Sequence, residues 1–213
     1  MAASKGIFCV EGFWTTDLRD TRTVKTVLEF LKDNARVPRL YNRAATRADF
    51  EHYVSRFPQA AYRKYPILYL AFHGREGSLC IWGNEHYSLE NIASLLQDKC
   101  HGRIVVLGGC SVLNIDKRKL KAFLRSTGAL AVCGYRNDVD WIRSSAFEML
   151  LLSELQDNAF DNRGIRPIVH KCTALAKAFK AADPEKDIRF RIVSTLDLAR
   201  LRPPVDRDHR TTI

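Results

Sequence analysis

Two stretches of the sequence decide the fold: PILYLAFHG at residues 66–74 and RIVVLGGCS at residues 103–111. Each is an unbroken apolar run, rich in β-branched or aromatic residues, that leads into a glycine and a reactive side chain. Runs of this kind are typical of strands buried on both faces of a parallel sheet. The segment between them can hold one crossover, so we expect the two strands to be neighbours.

His73 and Cys110 follow the two apolar runs. In an open parallel sheet, functional residues lie beyond the carboxyl ends of the strands. Neighbouring strands are about 4.8 Å apart, so the two side chains can converge over one edge of the sheet. An imidazole can take the proton of a thiol and so generate the thiolate that attacks a carbonyl. The pattern therefore predicts His73 as a base and Cys110 as a nucleophile.

Glycines flank both reactive residues. Gly74 has no side chain, so its N–H can approach a substrate closely and, with the N–H of Cys110, can form an oxyanion hole. Gly108 and Gly109 allow the chain to turn sharply and expose the thiol. A cysteine at a strand end is often only a small apolar side chain, and a single histidine is often only hydrogen-bonded. The two together, each beside glycine, favour a catalytic role.

The rest of the sequence alternates between strand and helix patterns. Further strands are predicted at residues 6–10, 39–41, 129–133 and 188–192, and helices at residues 21–34, 46–57, 88–98, 116–126, 142–155 and 167–181. Residues 78–87 predict a small hairpin around a Gly-Asn pair. This order predicts an α/β fold, a three-layer α/β/α sandwich with a mostly parallel six-stranded sheet. One domain is expected over residues 1–195, followed by a flexible tail over residues 196–213.

Composition and motifs exclude several classes of protein. No apolar stretch approaches the ~20 residues of a membrane helix, and the segment at residues 7–10 is too short for the core of a signal peptide. Six scattered cysteines without a CxxC pair predict reduced thiols in a cytoplasmic protein. No zinc-ligand spacing and no dinucleotide or Walker glycine motif is present, so we predict neither a metal nor a cofactor.

The net charge of +10 raises the question of a nucleic-acid partner. The basic residues are scattered along the chain, however, and no DNA- or RNA-binding motif accompanies them. Solvated protein faces explain such a distribution better than a nucleic-acid interface does. We therefore predict no nucleic-acid partner and keep this function only as the weakest alternative.

An apolar strand followed by His-Gly, and a second followed by Gly-Cys-Ser, resemble the motifs of the caspase-like cysteine peptidases of clan CD. The resemblance covers residues 6–193 and is closest to small bacterial caspase-like and CHAT-type domains. It implies a cysteine endopeptidase in which His73 is the general base and Cys110 the nucleophile that forms an acyl-enzyme. It also implies a role in bacterial stress, cell death or antiviral defence, with activation by a separate protein or a small-molecule signal.

The same resemblance suggests a substrate pocket. Residues 134–141 resemble the loop that follows the fifth strand of these enzymes and lines their S1 pocket. Separases carry an acid there that receives a basic P1 side chain, and Asp138, followed by Asp140, is the nearest match. Glu11 ends the first strand, which borders S1 in this clan. These three carboxylates imply an acidic S1 pocket, and the alternative is that they are ordinary loop acids that cap the next helix.

Three functions are therefore considered. The leading prediction is an endopeptidase whose partner is a protein or peptide substrate, with a homodimer left open. The first alternative is a binding or scaffold module that keeps the caspase-like fold without turnover, and the second is the nucleic-acid-associated protein. The intact pair of His73 and Cys110 argues against the scaffold alternative.

Overall fold

The computed structural model describes residues 4–83 and 85–199 of the chain, and within them the secondary structure follows the predicted order. The strands are β1 (Ile7–Glu11), β2 (Arg39–Arg43), β3 (Ile67–Ala71), β4 (His73–Arg75), β5 (Ser78–Trp82), β6 (Glu85–Ser88), β7 (Ile104–Leu107), β8 (Ala131–Tyr135) and β9 (Phe190–Ser194). The helices are α1 (Lys25–Ala35), α2 (Arg47–Arg56), α3 (Leu89–Leu95), α4 (Lys117–Thr127), α5 (Trp141–Glu154), α6 (Ile165–Ala182) and α7 (Thr195–Ala199). A 3₁₀ turn at Ala60–Tyr62 precedes β3.

Six of the strands form one sheet in the order β2-β1-β3-β7-β8-β9. The first five are parallel, and β9 runs antiparallel to β8 at one edge. Ile67 lies opposite Ile104 and Leu70 opposite Leu107, so β3 and β7 are neighbours as the two apolar runs predicted. The expectation of a mostly parallel six-stranded sheet is confirmed.

The sheet separates two apolar cores. Successive side chains of a strand point to opposite faces, and in β1 the side chains of Ile7 and Cys9 enter one core while those of Phe8 and Val10 enter the other. Helices α1, α5 and α6 cover the first face, and α2, α3 and α4 cover the second. This arrangement is the predicted three-layer α/β/α sandwich.

The segment between β3 and α3 forms a second, antiparallel sheet in the order β4-β5-β6. It contains the predicted hairpin, of which Asn84 lies outside the described residues. His73 differs from the prediction because it does not end β3: Phe72 intervenes, and His73 is the first residue of β4, opposite Cys80. The base candidate therefore belongs to the small sheet and follows the last residue of β3 by two positions.

Helix α1 begins at Lys25, four residues after the predicted start at Thr21. The cause is the carboxylate of Glu11, which accepts hydrogen bonds from the Val24 N–H at 2.8 Å and the Thr23 hydroxyl at 2.7 Å. These bonds keep the preceding segment at the carboxyl edge of the sheet as a loop. Helices α2, α3, α4 and α5 begin at capping side chains, as in α4, where Asp116 accepts from the Arg118 N–H.

The end of the described chain differs from the predicted tail. Residues 196–199 belong to α7, and the Asp197 carboxylate accepts from the Lys117 ammonium at 2.7 Å and from the Ser194 N–H at 3.0 Å. Residues 200–213, the rest of the predicted tail, lie outside the described residues. In the described ranges, none of the helices has the length and apolar character needed to cross a membrane.

Candidate active site

His73 and Cys110 line the same cavity, which has a volume of about 360 Å³. The cavity lies at the carboxyl edge of the large sheet, where parallel α/β proteins place their chemistry. Its walls come from the loop after β1, the turn after β7 and the first turns of α5; they include Trp14, Gly108 and Trp141. The structure thus brings together the two reactive residues that the sequence singled out.

Two glycines allow the ends of β3 and β7 to touch. A Cβ atom built on Gly74 would lie 2.5 Å from the carbonyl oxygen of Cys110, and one built on Gly109 would lie 3.0 Å from the carbonyl oxygen of Phe72. A methyl group at Gly74 could be accommodated only if the backbone moved. The glycines beside the two reactive residues are therefore required by the contact between the two backbone segments.

The ring of His73 has one nitrogen held by the backbone. Its Nε2 lies 2.7 Å from the carbonyl oxygen of Trp14. Because a carbonyl oxygen can only accept a hydrogen bond, Nε2 carries the proton and Nδ1 of the neutral ring is left as the basic nitrogen. The Trp14 indole packs edge-to-face on the His73 ring, with ring centroids 5.2 Å apart, and on Trp141 at 4.7 Å.

Glu11 holds Trp14 and does not line the cavity. Its side chain is fully buried, and its carboxylate accepts from the Trp14 indole N–H at 2.6 Å, from Val24 and Thr23, and from the Tyr41 hydroxyl. All four donors belong to the protein, so no oxygen is left for a substrate. The structure thus differs from the expected place of Glu11 in an S1 pocket and makes it a positioning residue for Trp14.

Cys110 has a half-buried thiol at a strained turn. The next residue, Ser111, has a φ of 58°, and its N–H donates to the carbonyl of Asn137 at 3.0 Å. The Cys110 thiol lies 4.0 Å from the carbonyl oxygen of Val139. Burial raises the pKa of the Cys110 thiol above its ordinary value, and nearby negative charges add to this effect.

The other two predicted pocket acids lie in the loop between β8 and α5. Asp138 is exposed and accepts from the Ser111 hydroxyl at 2.9 Å, beside the nucleophile but not on the cavity wall. Asp140 is on the wall, and it caps α5 by accepting from the Arg143 N–H at 2.9 Å. Asp140 therefore caps the next helix, as the alternative for the loop acids expected, and it also lines the cavity.

The sequence reasoning missed Glu148, a buried carboxyl group that lines the same cavity. It lies on α5 and accepts from the hydroxyls of Tyr69 and Tyr135. A signal was present, because Trp141, Ser144 and Glu148 follow one another at helical spacing on a single face. The sequence pattern predicted this helix at residues 142–155 without a functional residue on it.

A second contact between a cysteine and a histidine lies in the small sheet. The Cys80 sulfur is 3.1 Å from Nδ1 of His86, and burial raises the pKa of this thiol too. Cys80 does not line the dyad cavity. Within the described part of the chain, no group of three or more His, Cys, Asp or Glu side chains is placed to hold a metal ion.

The raised pKa of Cys110 predicts how the thiol reacts with a small alkylating agent. Only the thiolate reacts, so the rate of iodoacetamide alkylation should rise by about tenfold per pH unit between pH 6 and pH 9, with no plateau. We would follow modification of Cys110 by peptide mass spectrometry. A plateau below pH 8 would indicate a preformed thiolate and would contradict the effect of burial described here.

The fold is that of the caspases. The solved structure of pro-sf-caspase-1 is similar to this chain with a TM-score of 0.55 and 14% sequence identity, over 90% of this chain and 88% of that chain. At this identity the similarity concerns the fold alone. The caspase-like fold implied by the sequence resemblance is confirmed.

The chain belongs to the family described as "Family of unknown function (DUF6642)", which matches residues 4–181. The matched region runs from β1 into the last turn of α6 and includes His73 and Cys110. No curated protein matches the sequence.

Proposed function

We propose that this protein is a cysteine endopeptidase that uses His73 and Cys110. The observation that carries the proposal is the presence of both side chains on the wall of one cavity at the carboxyl edge of a caspase-like sheet. Either residue alone would be unremarkable in a protein with six cysteines and six histidines. Their convergence, together with a fixed tautomer of the imidazole, supports a catalytic pair.

The proposed reaction has two steps. In the first, Nδ1 of His73 takes the thiol proton, the sulfur of Cys110 bonds to the peptide carbonyl carbon, and the C–N bond breaks as the imidazolium returns the proton to the leaving amine. In the second, His73 takes a proton from water and the resulting hydroxide attacks the thioester; the C–S bond then breaks as the imidazolium returns the proton to the sulfur, which gives the acid and the thiol. The carbonyl of Trp14 keeps Nε2–H in place throughout.

The oxyanion of each step needs N–H donors, for which we propose Gly74 and Cys110. Among the described residues, the N–H of Cys110 donates to no backbone carbonyl, so it is free for a substrate oxygen. The close packing of Gly74 against the Cys110 backbone places the two peptide groups side by side. One such donor contributes about 3 kcal/mol to the transition state in well-studied proteases.

The substrate is proposed to be a protein or peptide, bound with its P1 side chain near Asp140 and with Asp138 beside the nucleophile. The finer resemblance to bacterial CHAT-type domains adds a proposed role in stress, cell death or antiviral defence, with a separate activator protein or small-molecule signal. A protonated resting thiol is compatible with such activation. A reducing, cytoplasmic environment is proposed because all six cysteines are free.

The proposal is tested with peptide acyloxymethyl ketone probes that differ at P1. We expect covalent labelling of Cys110 in the wild-type protein and none in Cys110→Ser. Cys80→Ser is the matched control, because it removes the other half-buried thiol that contacts a histidine, and it should be labelled like wild type.

Absence of labelling by every probe, with the variants folded, would contradict the peptidase and favour the scaffold alternative. Salt-sensitive binding of the same protein to DNA or RNA would favour the nucleic-acid alternative.

A further inference from the structure

The cavity that contains His73 and Cys110 also contains an acidic group with no cationic partner among the described residues. Glu148 is 4% exposed and lines the cavity with Cys110. Carboxylates are rarely buried to this extent unless they are paired, because desolvation of the charge costs several kcal/mol. None of the ion pairs in the described residues includes Glu148, and its neighbours Tyr69 and Tyr135 donate only neutral hydroxyl groups.

The charged groups around Glu148 do not supply the missing cation. Arg22 is on the cavity wall, but its guanidinium binds Asp20 with an Nε–Oδ1 distance of 2.9 Å. Asp140 on the wall and the buried Glu11 add negative charge. The cavity therefore combines two acidic side chains, Asp140 and Glu148, with an arginine that is already paired, so a cation that balances an ionised Glu148 would have to come from a bound molecule.

The carboxylate has unused capacity for such a molecule. A carboxylate offers about four acceptor positions. The Tyr135 hydroxyl donates to Oε1 at 3.0 Å and the Tyr69 hydroxyl donates to Oε2. One position on each oxygen is left, which suits the two parallel N–H donors of a guanidinium or the donors of an ammonium group.

The short chain separation between Cys110 and the backbone that Glu148 approaches fits the length of a basic side chain. A Cβ built on Gly108 would lie 3.1 Å from Oε1 of Glu148, so the carboxylate contacts the backbone two residues before Cys110. Two residues of extended chain span at most about 7 Å. A Lys or Arg side chain can extend over this distance when its own carbonyl carbon lies at the sulfur. A side chain at position 108 would crowd the Glu148 carboxylate and the Tyr69 ring, because a Cβ there would lie 3.1 Å from Oε1 and 3.0 Å from Cε2.

We propose that Glu148 is the specificity-determining residue of the S1 pocket, and that the pocket takes the Lys or Arg side chain of a peptide cleaved on its carboxyl side. This inference rests on the proposed peptidase function and gives it a substrate class. The exposed Asp138 and the capping Asp140 then contribute only long-range attraction. Burial raises the pKa of Glu148 to about 7, and a cation bound against it would favour the ionised form.

The first test compares peptides that differ only at P1, with Arg, Lys, Gln, Leu or Asp. In wild type we expect kcat/KM for Arg or Lys to exceed that for Leu and Gln by roughly 100-fold, as for a buried ion pair. Glu148→Gln should lower kcat/KM for the basic peptides roughly 100-fold and that for Leu by less than about 3-fold. Glu148→Asp should retain part of the preference because it keeps the charge.

The matched control is Glu154→Gln, which makes the same substitution on the same helix. Glu154 lies 3.6 Å from the Lys171 ammonium and does not line the cavity. The Glu154→Gln variant should have the same relative kcat/KM values for the five P1 peptides as wild type. A wild-type preference for Leu, Gln or Asp at P1 would overturn the role of Glu148, and the peptidase function would stand.

The second test needs no peptide cleavage. Benzamidine should slow iodoacetamide alkylation of Cys110 in wild type, uncharged benzamide should not, and Glu148→Gln should lose the protection. Protection without cleavage of any peptide would sink the peptidase function while the cation pocket stands. Equal effects of benzamidine and benzamide would overturn the cation pocket. If Glu148→Gln does not fold, the wild-type P1 series and the benzamidine–benzamide pair decide the question.

Discussion

Replacement of Cys110 by Ala is expected to abolish peptide cleavage while leaving the fold intact. Removal of the nucleophile of a catalytic pair costs at least about 10⁴-fold in kcat. The thiol is half-buried in an open turn and makes one weak contact, 4.0 Å from the Val139 carbonyl oxygen, so the free energy of unfolding should change by less than about 1 kcal/mol. Cleavage of a P1-matched peptide and urea unfolding measure the two effects.

The companion variant is His73→Ala. It should also lower kcat by several orders of magnitude, and cleavage should recover partly as the pH is raised, because hydroxide can then generate the thiolate without the imidazole. Cleavage that persists in Cys110→Ala would refute the dyad. Unfolding of both variants would mean that the two residues are structural.

Glu148→Gln is expected to make the protein more stable above neutral pH. The pKa of Glu148 is raised from 4.5 to about 7 in the folded protein, mainly by burial. Between these values the unfolded chain loses its proton while the folded chain keeps it, so the free energy of unfolding falls as the pH rises. At about 1.36 kcal/mol per pKa unit, the loss is roughly 3 kcal/mol and is complete above pH 7.

The measurement is the difference in unfolding free energy between wild type and variant, from urea titrations at pH 4, 5.5, 7 and 8. The variant lacks the titrating group, so its advantage should grow over this range, whereas Glu154→Gln should follow wild type. A constant difference across the range would show that Glu148 titrates normally in the folded state. An advantage at pH 8 combined with lost cleavage after basic residues would mean that the acid is retained for substrate selection at a cost in stability.

The fold could be predicted well from the sequence because it follows from local patterns. The apolar runs at residues 66–72 and 103–107 can be buried on both faces only inside a parallel sheet. Capping residues such as Thr46 and Ser88 placed helix starts correctly. The start of α1 could not be predicted. It is set by the carboxylate of Glu11 at the end of β1, which binds Thr23 and Val24.

The convergence of His73 and Cys110 on one cavity could be predicted for the same reason, since strand ends converge at one edge of a sheet. The lining of the pocket could not. Glu11 looked like a pocket acid because it ends β1, but four donors, three of them 12 to 30 residues away in sequence, turn it inward. Glu148 drew no prediction from the sequence, because only the approach of Gly108, Tyr69 and Tyr135 reveals a carboxyl group facing a cavity. For both Glu11 and Glu148, the direction of the side chain depends on tertiary contacts that the local sequence does not specify.

The hydrogen bond from His73 to the carbonyl of Trp14 has a consequence for mutagenesis and for sequence searches. Many hydrolases orient their histidine with an Asp or Asn side chain, which an alanine scan detects and a conserved motif records. Here the orienting atom is an amide oxygen that every residue possesses. No point substitution at position 14 deletes it, and no residue type is required there to supply it. A third catalytic partner would therefore remain invisible to both approaches, and only an amide-to-ester replacement in the backbone would expose its contribution.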